Sequence, residues 1–267
     1  MLPTWDPERI IKKIPFNLGL AGGRRQGKST AVADLLQRMS GKFDLVLCMV
    51  GSAACNPVLE NLLSTYWDPR FFFSEWDQNM IDRLLQQQEE LLKEGKRREV
   101  LIILDDVILS SKAEDQLAHM TMRGRHFRIS IMMCAVSYTS LPKRARRSLD
   151  TLLVFSCPMK GDEQVLTWEY CHNASMARMA LNNLKEFECL VLETLQKKQS
   201  LFSWRADLLQ LESPTVRDQE VVEENCDPQT EPSPPLNDAQ NPTEMVLDKP
   251  QTGVSPESGS ERLSADH

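Results

Sequence analysis

The chain has 267 residues, 41% of them apolar, which suffices for one good-sized domain plus a tail. Its net charge of −7 is uneven: residues 213–267 hold twelve Asp or Glu against three Lys or Arg, while residues 1–212 hold 26 against 28. The acidic average therefore describes the tail and does not exclude a polyanionic partner for the body, whereas the absence of a long apolar run excludes a membrane-spanning helix.

The opening "MLPTWDPERIIKK" lacks the apolar stretch of a signal peptide. "FNLGLA" (16–21) reads as a strand ending at glycines, and "STAVADLLQRM" (29–39) as an amphipathic helix. "FDLVLCMV" (43–50) is a buried strand. Residues 79–96 form a long amphipathic helix with Gly95 near its stop. "VLIILDD" (100–106), "ISIMMCAVS" (129–137) and "TLLVFS" (151–156) are further strands, with helical patterns at 114–122 and 162–172. Residues 188–206 read as a hairpin around "QKKQ". Fully apolar strands alternating with helices predict an α/β fold. Its mostly parallel central sheet has helices on both faces, a three-layer α/β/α sandwich with a C-terminal hairpin.

Residues 213–267 contain eight of the fifteen prolines and almost no aromatics. Such a composition cannot bury enough apolar surface to offset its ordering entropy. The expected division is a folded body at 1–212 and a disordered acidic tail at 213–267. Seven scattered cysteines without a CxxC pair, several inside apolar runs, suit packed thiols in a reducing, intracellular compartment.

"GGRRQGKS" (22–29) fits the phosphate-binding pattern G-x-x-x-x-G-K-[ST], with a strand before it and a helix after it. Gly22, Gly23, Arg24, Arg25, Gln26 and Gly27 form a loop whose backbone N–H groups cradle phosphate, and the helix N-terminus adds its dipole. Lys28, expected in a solvent-reachable loop, reaches the β- and γ-phosphates of ATP. The Ser29 hydroxyl ligates Mg²⁺, supported by Thr30. "LIILDD" fits the acid-tipped strand of the same site. There Asp105 holds the Mg²⁺ shell and Asp106 polarises the attacking water.

The basic runs "RGRHFR" (123–128) and "PKRARR" (142–147) flank the strand at 129–137. They suit arginines that complete a neighbour's phosphate site or follow a nucleic-acid backbone; a solvated basic face is the plainer alternative.

The order of these elements resembles the poxvirus-type genome-packaging ATPases of the HerA–FtsK superfamily, which occur in large eukaryotic DNA viruses, virophages and Polinton-like elements. The resemblance runs over about 14–205 and includes "GRH" before the strand at 129–137, then a Leu-Pro pair, an arginine and an aspartate after it. It implies a ring-forming ATPase that drives double-stranded DNA, independently of sequence, into a preformed capsid. Capsid or portal-region proteins would be partners, in the host nucleus or cytoplasm and without membrane insertion. By position, Arg146 is the arginine that senses or completes a site, while Arg125 and His126 match "GRH". One departure is that the family has a glutamine at the end of this strand, where Ser137 stands near that place. Ser137 and the acidic tail keep open a non-hydrolysing nucleotide-binding interaction or capsid-assembly module. Another P-loop kinase or GTPase is the remaining alternative, although the sequence has no N-K-x-D element for a GTPase to read the base.

Overall fold

The computed structural model describes residues 2–51, 68–156, 159–194 and 200–207, all within the first of two units of the chain, Met1–Arg217. The expected tail at 213–267 and the "QKKQ" turn lie outside the described residues.

Eight strands form one sheet in the order β3-β2-β4-β5-β1-β6-β7-β8. They are β1 (Asn17–Ala21), β2 (Leu45–Val50), β3 (Phe72–Phe73), β4 (Val100–Asp105), β5 (Ile129–Ala135), β6 (Thr151–Val154), β7 (Glu188–Glu193) and β8 (Ser200–Arg205). The first six run parallel, and β7 and β8 close one edge as an antiparallel pair. Every residue of β1, β2 and β5 is buried, because helices cover both faces.

The two faces follow from strand alternation. Leu18, Leu20, Cys48, Leu101, Ile103, Met132 and Cys134 pack against α1 (Glu8–Ile11) and α2 (Lys28–Arg38). Met49, Ile102, Leu104, Ile131 and Met133 pack against the other helices: α3 (Gln78–Lys93), α4 (Ser111–Arg123), α5 (Lys143–Arg146) and α6 (Lys160–Tyr170). A seventh helix, α7 (Ala174–Asn182), follows α6.

Capping places the helix starts. Asp77 accepts the Met80 N–H at 3.0 Å before α3, and Ser110 accepts the Ala113 N–H at 3.3 Å before α4. Among the described cysteines, Cys48, Cys134, Cys171 and Cys189 are free thiols, and all but Cys171 are buried.

The element order positions a site. β1 and β4 both end at the same edge, with β5 between them. The chain leaves β1 for β2 on one side, and leaves β5 for β6 across β1. In open parallel sheets, the crevice at such strand ends is where ligands bind.

Candidate nucleotide site

Residues 22–27 leave β1 as a loop that turns directly into α2. Gly27 sits at the helix N-cap with φ +97°, a left-handed conformation that an L side chain resists. Arg25 adopts φ +60° and is exposed with Arg24 beside it. The loop is a concave turn at a helix N-terminus, with backbone N–H donors and the positive dipole end supplied together.

Lys28 differs from expectation. It is the first residue of α2 and only 8% exposed. Its Nζ donates to the carbonyl oxygens of Gly22 at 2.7 Å and Gly23 at 3.0 Å. A buried ammonium needs such acceptors, and these are the carbonyls at the base of the loop. Ser29 and Thr30 follow on the first turn, Ser29 exposed.

Asp105 ends β4 and Asp106 turns away from it at φ +51°, a left-handed position that Asp tolerates better than most residues. The Asp106 N–H donates to the Cys134 carbonyl at 3.1 Å, which extends the β4–β5 ladder by one bond and fixes the turn. Asp105 is half-buried and Asp106 exposed.

A cleft of about 1100 Å³ joins these parts, lined by Arg24, Arg25, Lys28, Ser29, Asp105 and Asp106 among others. The structure thus brings most of the expected residues to one wall-to-wall space, with P-loop and acids separated by the width of β5.

Two further residues of this cleft escaped the sequence reading. Gly51 follows β2, and a Cβ there would stand 2.3 Å from the Asp106 carbonyl oxygen. Only glycine permits that approach, although a lone glycine after an apolar strand carries no such signal by itself. Glu114, in the first turn of α4, adds a third carboxylate to the same wall. An acid in the first turn of a helix is commonplace, so its residue type carries no signal of the cleft.

The strand between the two halves ends earlier than expected, at Ala135 rather than Ser137. Ser137 lies beyond the strand, and its hydroxyl is bonded to the Ser140 hydroxyl at 2.8 Å. Ser140 lines the cleft, as do Cys134 and Val136. Cys134 is buried on the α2 face, and burial, followed by the negative field of Asp105, pushes its thiol up well above its ordinary range. It is a neutral, packed thiol.

Arg146, expected to sense or complete a site, is 6% exposed within its own chain. Its Nε donates to Glu169 Oε2 at 2.9 Å and its Nη2 to Glu169 Oε1 at 3.1 Å. Nη1 is turned to the carbonyls of Thr139 and Leu141, and the guanidinium lies 4.8 Å over the Tyr138 ring. Burial works to raise the Glu169 carboxyl, yet the Arg146 and Tyr138 hydrogen bonds prevail and hold it below its ordinary value. The ion pair, the two carbonyls and the ring together hold Arg146 within its own fold.

The basic runs also separate. "PKRARR" follows β5 near the cleft, where Arg144 pairs with Asp115. "RGRHFR" precedes β5 and stands at the opposite edge of the sheet. There Arg125 pairs with the buried Asp150, whose other oxygen accepts the Asn17 N–H at 2.8 Å. That gives the "GRH" arginine a definite place: it ties the starts of β5, β1 and β6 together. His126 is exposed.

The donor set suits a nucleotide-bound hard cation. Ser29 and Asp105 offer oxygen ligands on the same cleft, and no group of three or more His, Cys, Asp or Glu able to hold a metal exists among the described residues. Mg²⁺ is bound in this way, through one or two protein oxygens with phosphate oxygens and water completing its shell.

A sequence model of the family described as Poxvirus A32 protein matches residues 6–227 of the chain. Comparison with curated proteins finds no match. Among solved structures, the chain is similar to the genome packaging NTPase B204 from Sulfolobus turreted icosahedral virus 2 in complex with AMP. The TM-score is 0.50 at 12% identity, covering 74% of this chain and 98% of that one. It is similar to EssC (ATPases 2 and 3) from Geobacillus thermodenitrificans, with TM-score 0.52 at 15% identity over 72% of this chain and 40% of that one. The pCW3 conjugation coupling protein TcpA with ATPγS gives TM-score 0.52 at 10% identity, over 73% and 61%. At such identities the likeness concerns the fold.

Proposed function

The chain belongs to the poxvirus A32 protein family, and from that premise we propose that it is an ATP-hydrolysing motor that drives double-stranded viral DNA into a preformed capsid. The observation that carries this reading is the shared cleft. Lys28 and Ser29 on one side face Asp105 and Asp106 on the other, across the end of β5.

In this reading the amides of residues 22–30 hold the ATP phosphates. Lys28 exchanges its two loop carbonyls for β- and γ-phosphate oxygens, which are stronger acceptors for an ammonium. Ser29 and Asp105 hold Mg²⁺, directly or through water. Mg²⁺ supplies charge neutralisation at the phosphates when bound. Asp106 orients the attacking water and takes its proton. Arg24 and Arg25 add positive charge at the rim of the same cleft.

Subunits join in a closed ring, act on DNA without reading its sequence, and work with capsid or portal-region proteins where virions assemble in the host cell. Residues 1–212 carry the ATPase, and residues 213–267 are an appendage to it. No helix among the described residues is long and apolar enough to cross a membrane.

A second reading has a specific observation behind it. Where β5 meets the cleft stand Cys134, on the α2 face, and Val136, just past the strand, neither of which orients water as an amide does. A nucleotide-binding assembly module without turnover would fit them. The deciding experiment is steady-state ATP hydrolysis with and without linear duplex DNA, using Lys28→Ala as the blank. DNA-stimulated turnover supports the motor. Nucleotide binding with no turnover under either condition supports the module.

A further inference from the structure

The sheet edge opposite the nucleotide cleft is made by the segments entering five adjacent parallel strands. In sheet order these precede β2, β4, β5, β1 and β6. The segments 39–44, 94–99, 123–128, 12–16 and 147–150 together hold ten Lys or Arg and four Asp or Glu. The body as a whole is nearly balanced, so the excess is local.

The four acids are already engaged. Asp44 accepts the Glu99 N–H at 2.7 Å, Glu94 pairs with Lys96 at 2.8 Å, Glu99 pairs with Arg128, and Asp150 pairs with Arg125. Among the described residues, Lys12, Lys13, Lys42, Arg97, Arg123 and Arg147 are exposed and make no ion pair. They come from all five segments. Adjacent strands are about 4.8 Å apart, so four steps from β2 to β6 make a row about 19 Å long.

We infer that this row is the track on which the protein holds the phosphate backbone of double-stranded DNA. The inference rests on the motor reading, which supplies the duplex, and adds the surface that grips it. Unpaired cations spread along a row suit an extended polyanion better than a single small anion, which would be held by converging groups in a pocket. The row offers no base-reading element, which accords with grip that ignores sequence. It also places DNA on the side of the sheet away from the hydrolysis cleft. Each helix-flanked strand would then link a phosphate contact at its start to the nucleotide site at its end.

The test uses the full chain and a fluorescent linear duplex of random sequence, with anisotropy followed across a KCl series. The variant K42E/R97E/R123E reverses three charges from three adjacent segments. A matched control, K112E/K160E/K185E, reverses three exposed lysines elsewhere. The track predicts that the first variant binds at least about tenfold more weakly than the control, with a log–log salt slope smaller by about 0.9 per lost contact. ATP hydrolysis without DNA stays at the wild-type rate in both, which also reports that each is folded. Equal binding by variant and control, with wild type binding DNA, overturns the track while leaving the motor reading intact. Failure of the wild type to bind duplex DNA at any salt overturns both.

Discussion

Arg146 and Glu169 form a two-point ion pair, Nε to Oε2 at 2.9 Å and Nη2 to Oε1 at 3.1 Å, with side chains only 7% and 9% exposed. The pair fastens the short helix after β5 to α6. The Tyr138 hydroxyl donates to the same Glu169 oxygen at 2.8 Å, which completes a buried polar cluster.

Removing one member of a buried pair strands the other. Arg146→Ala is expected to destabilise the fold by about 3 to 5 kcal/mol, read as a lower denaturant midpoint. If Arg146 instead acted in trans, the variant would keep wild-type stability. Mixing it with Lys28→Ala subunits would then restore turnover. Unchanged stability with such rescue would return Arg146 to the catalytic role that its place in the sequence suggested.

The pair itself is not legible in the sequence. Twenty-three positions separate Arg146 from Glu169, and no spacing rule connects them; the contact exists because α6 docks beside α5. Local physics was readable where it governs structure. Apolar strands 17–21, 45–50, 100–105 and 129–135 announce a covered parallel sheet, and Gly27 with Lys28 announces the phosphate loop. What stayed hidden depends on tertiary approach or on very short elements. Gly51 against the Asp106 carbonyl is of the first kind, and the two-residue β3 of the second. The basic runs around β5 are close in sequence, yet the strand between them sends them to opposite edges.

Acid should loosen the molecule at two tethers. Glu193 lies below its ordinary carboxylate range, chiefly through its hydrogen bond from Arg9, with burial opposing and Trp5 assisting. Glu169 lies below it because its bonds from Arg146 and Tyr138 outweigh burial. A lowered folded value means the stabilisation is complete above the unfolded glutamate value of about 4.3 and is lost as pH falls through the lower folded values. Denaturant midpoints should therefore hold steady down to about pH 5 and then fall. Glu193→Gln should flatten that fall. A wild-type midpoint that does not change in acid would show that neither tether matters to stability.

Lys28→Ala should cut turnover by about 10² to 10³-fold, the scale for removing one preorganised charge donor from a reacting anion. Because Lys28 is buried and bonded to the Gly22 and Gly23 carbonyls, the change should also cost about 1 to 3 kcal/mol of stability. Phosphate release and thermal melting, measured on the same preparation, check both. Full turnover would remove the P-loop from the chemistry.

The two acids at the end of β4 should separate by role. Asp105 is half-buried and lines the cleft that Ser29 also lines, whereas Asp106 is exposed in a left-handed turn held by the Cys134 carbonyl. Asp105→Asn removes a charged oxygen from a cation's shell. Nucleotide binding should then require more Mg²⁺, and raising Mg²⁺ should recover part of the lost turnover. Asp106→Asn removes a proton acceptor but leaves the cation's ligands in place. Nucleotide affinity and Mg²⁺ dependence should stay near wild type while turnover falls by about 10² to 10⁴-fold. Glu114, on the same wall, is the rival for that task. If Asp106→Asn retains turnover and Glu114→Gln loses it with binding intact, the longer carboxylate from α4 is the base, and Asp106 serves the turn alone.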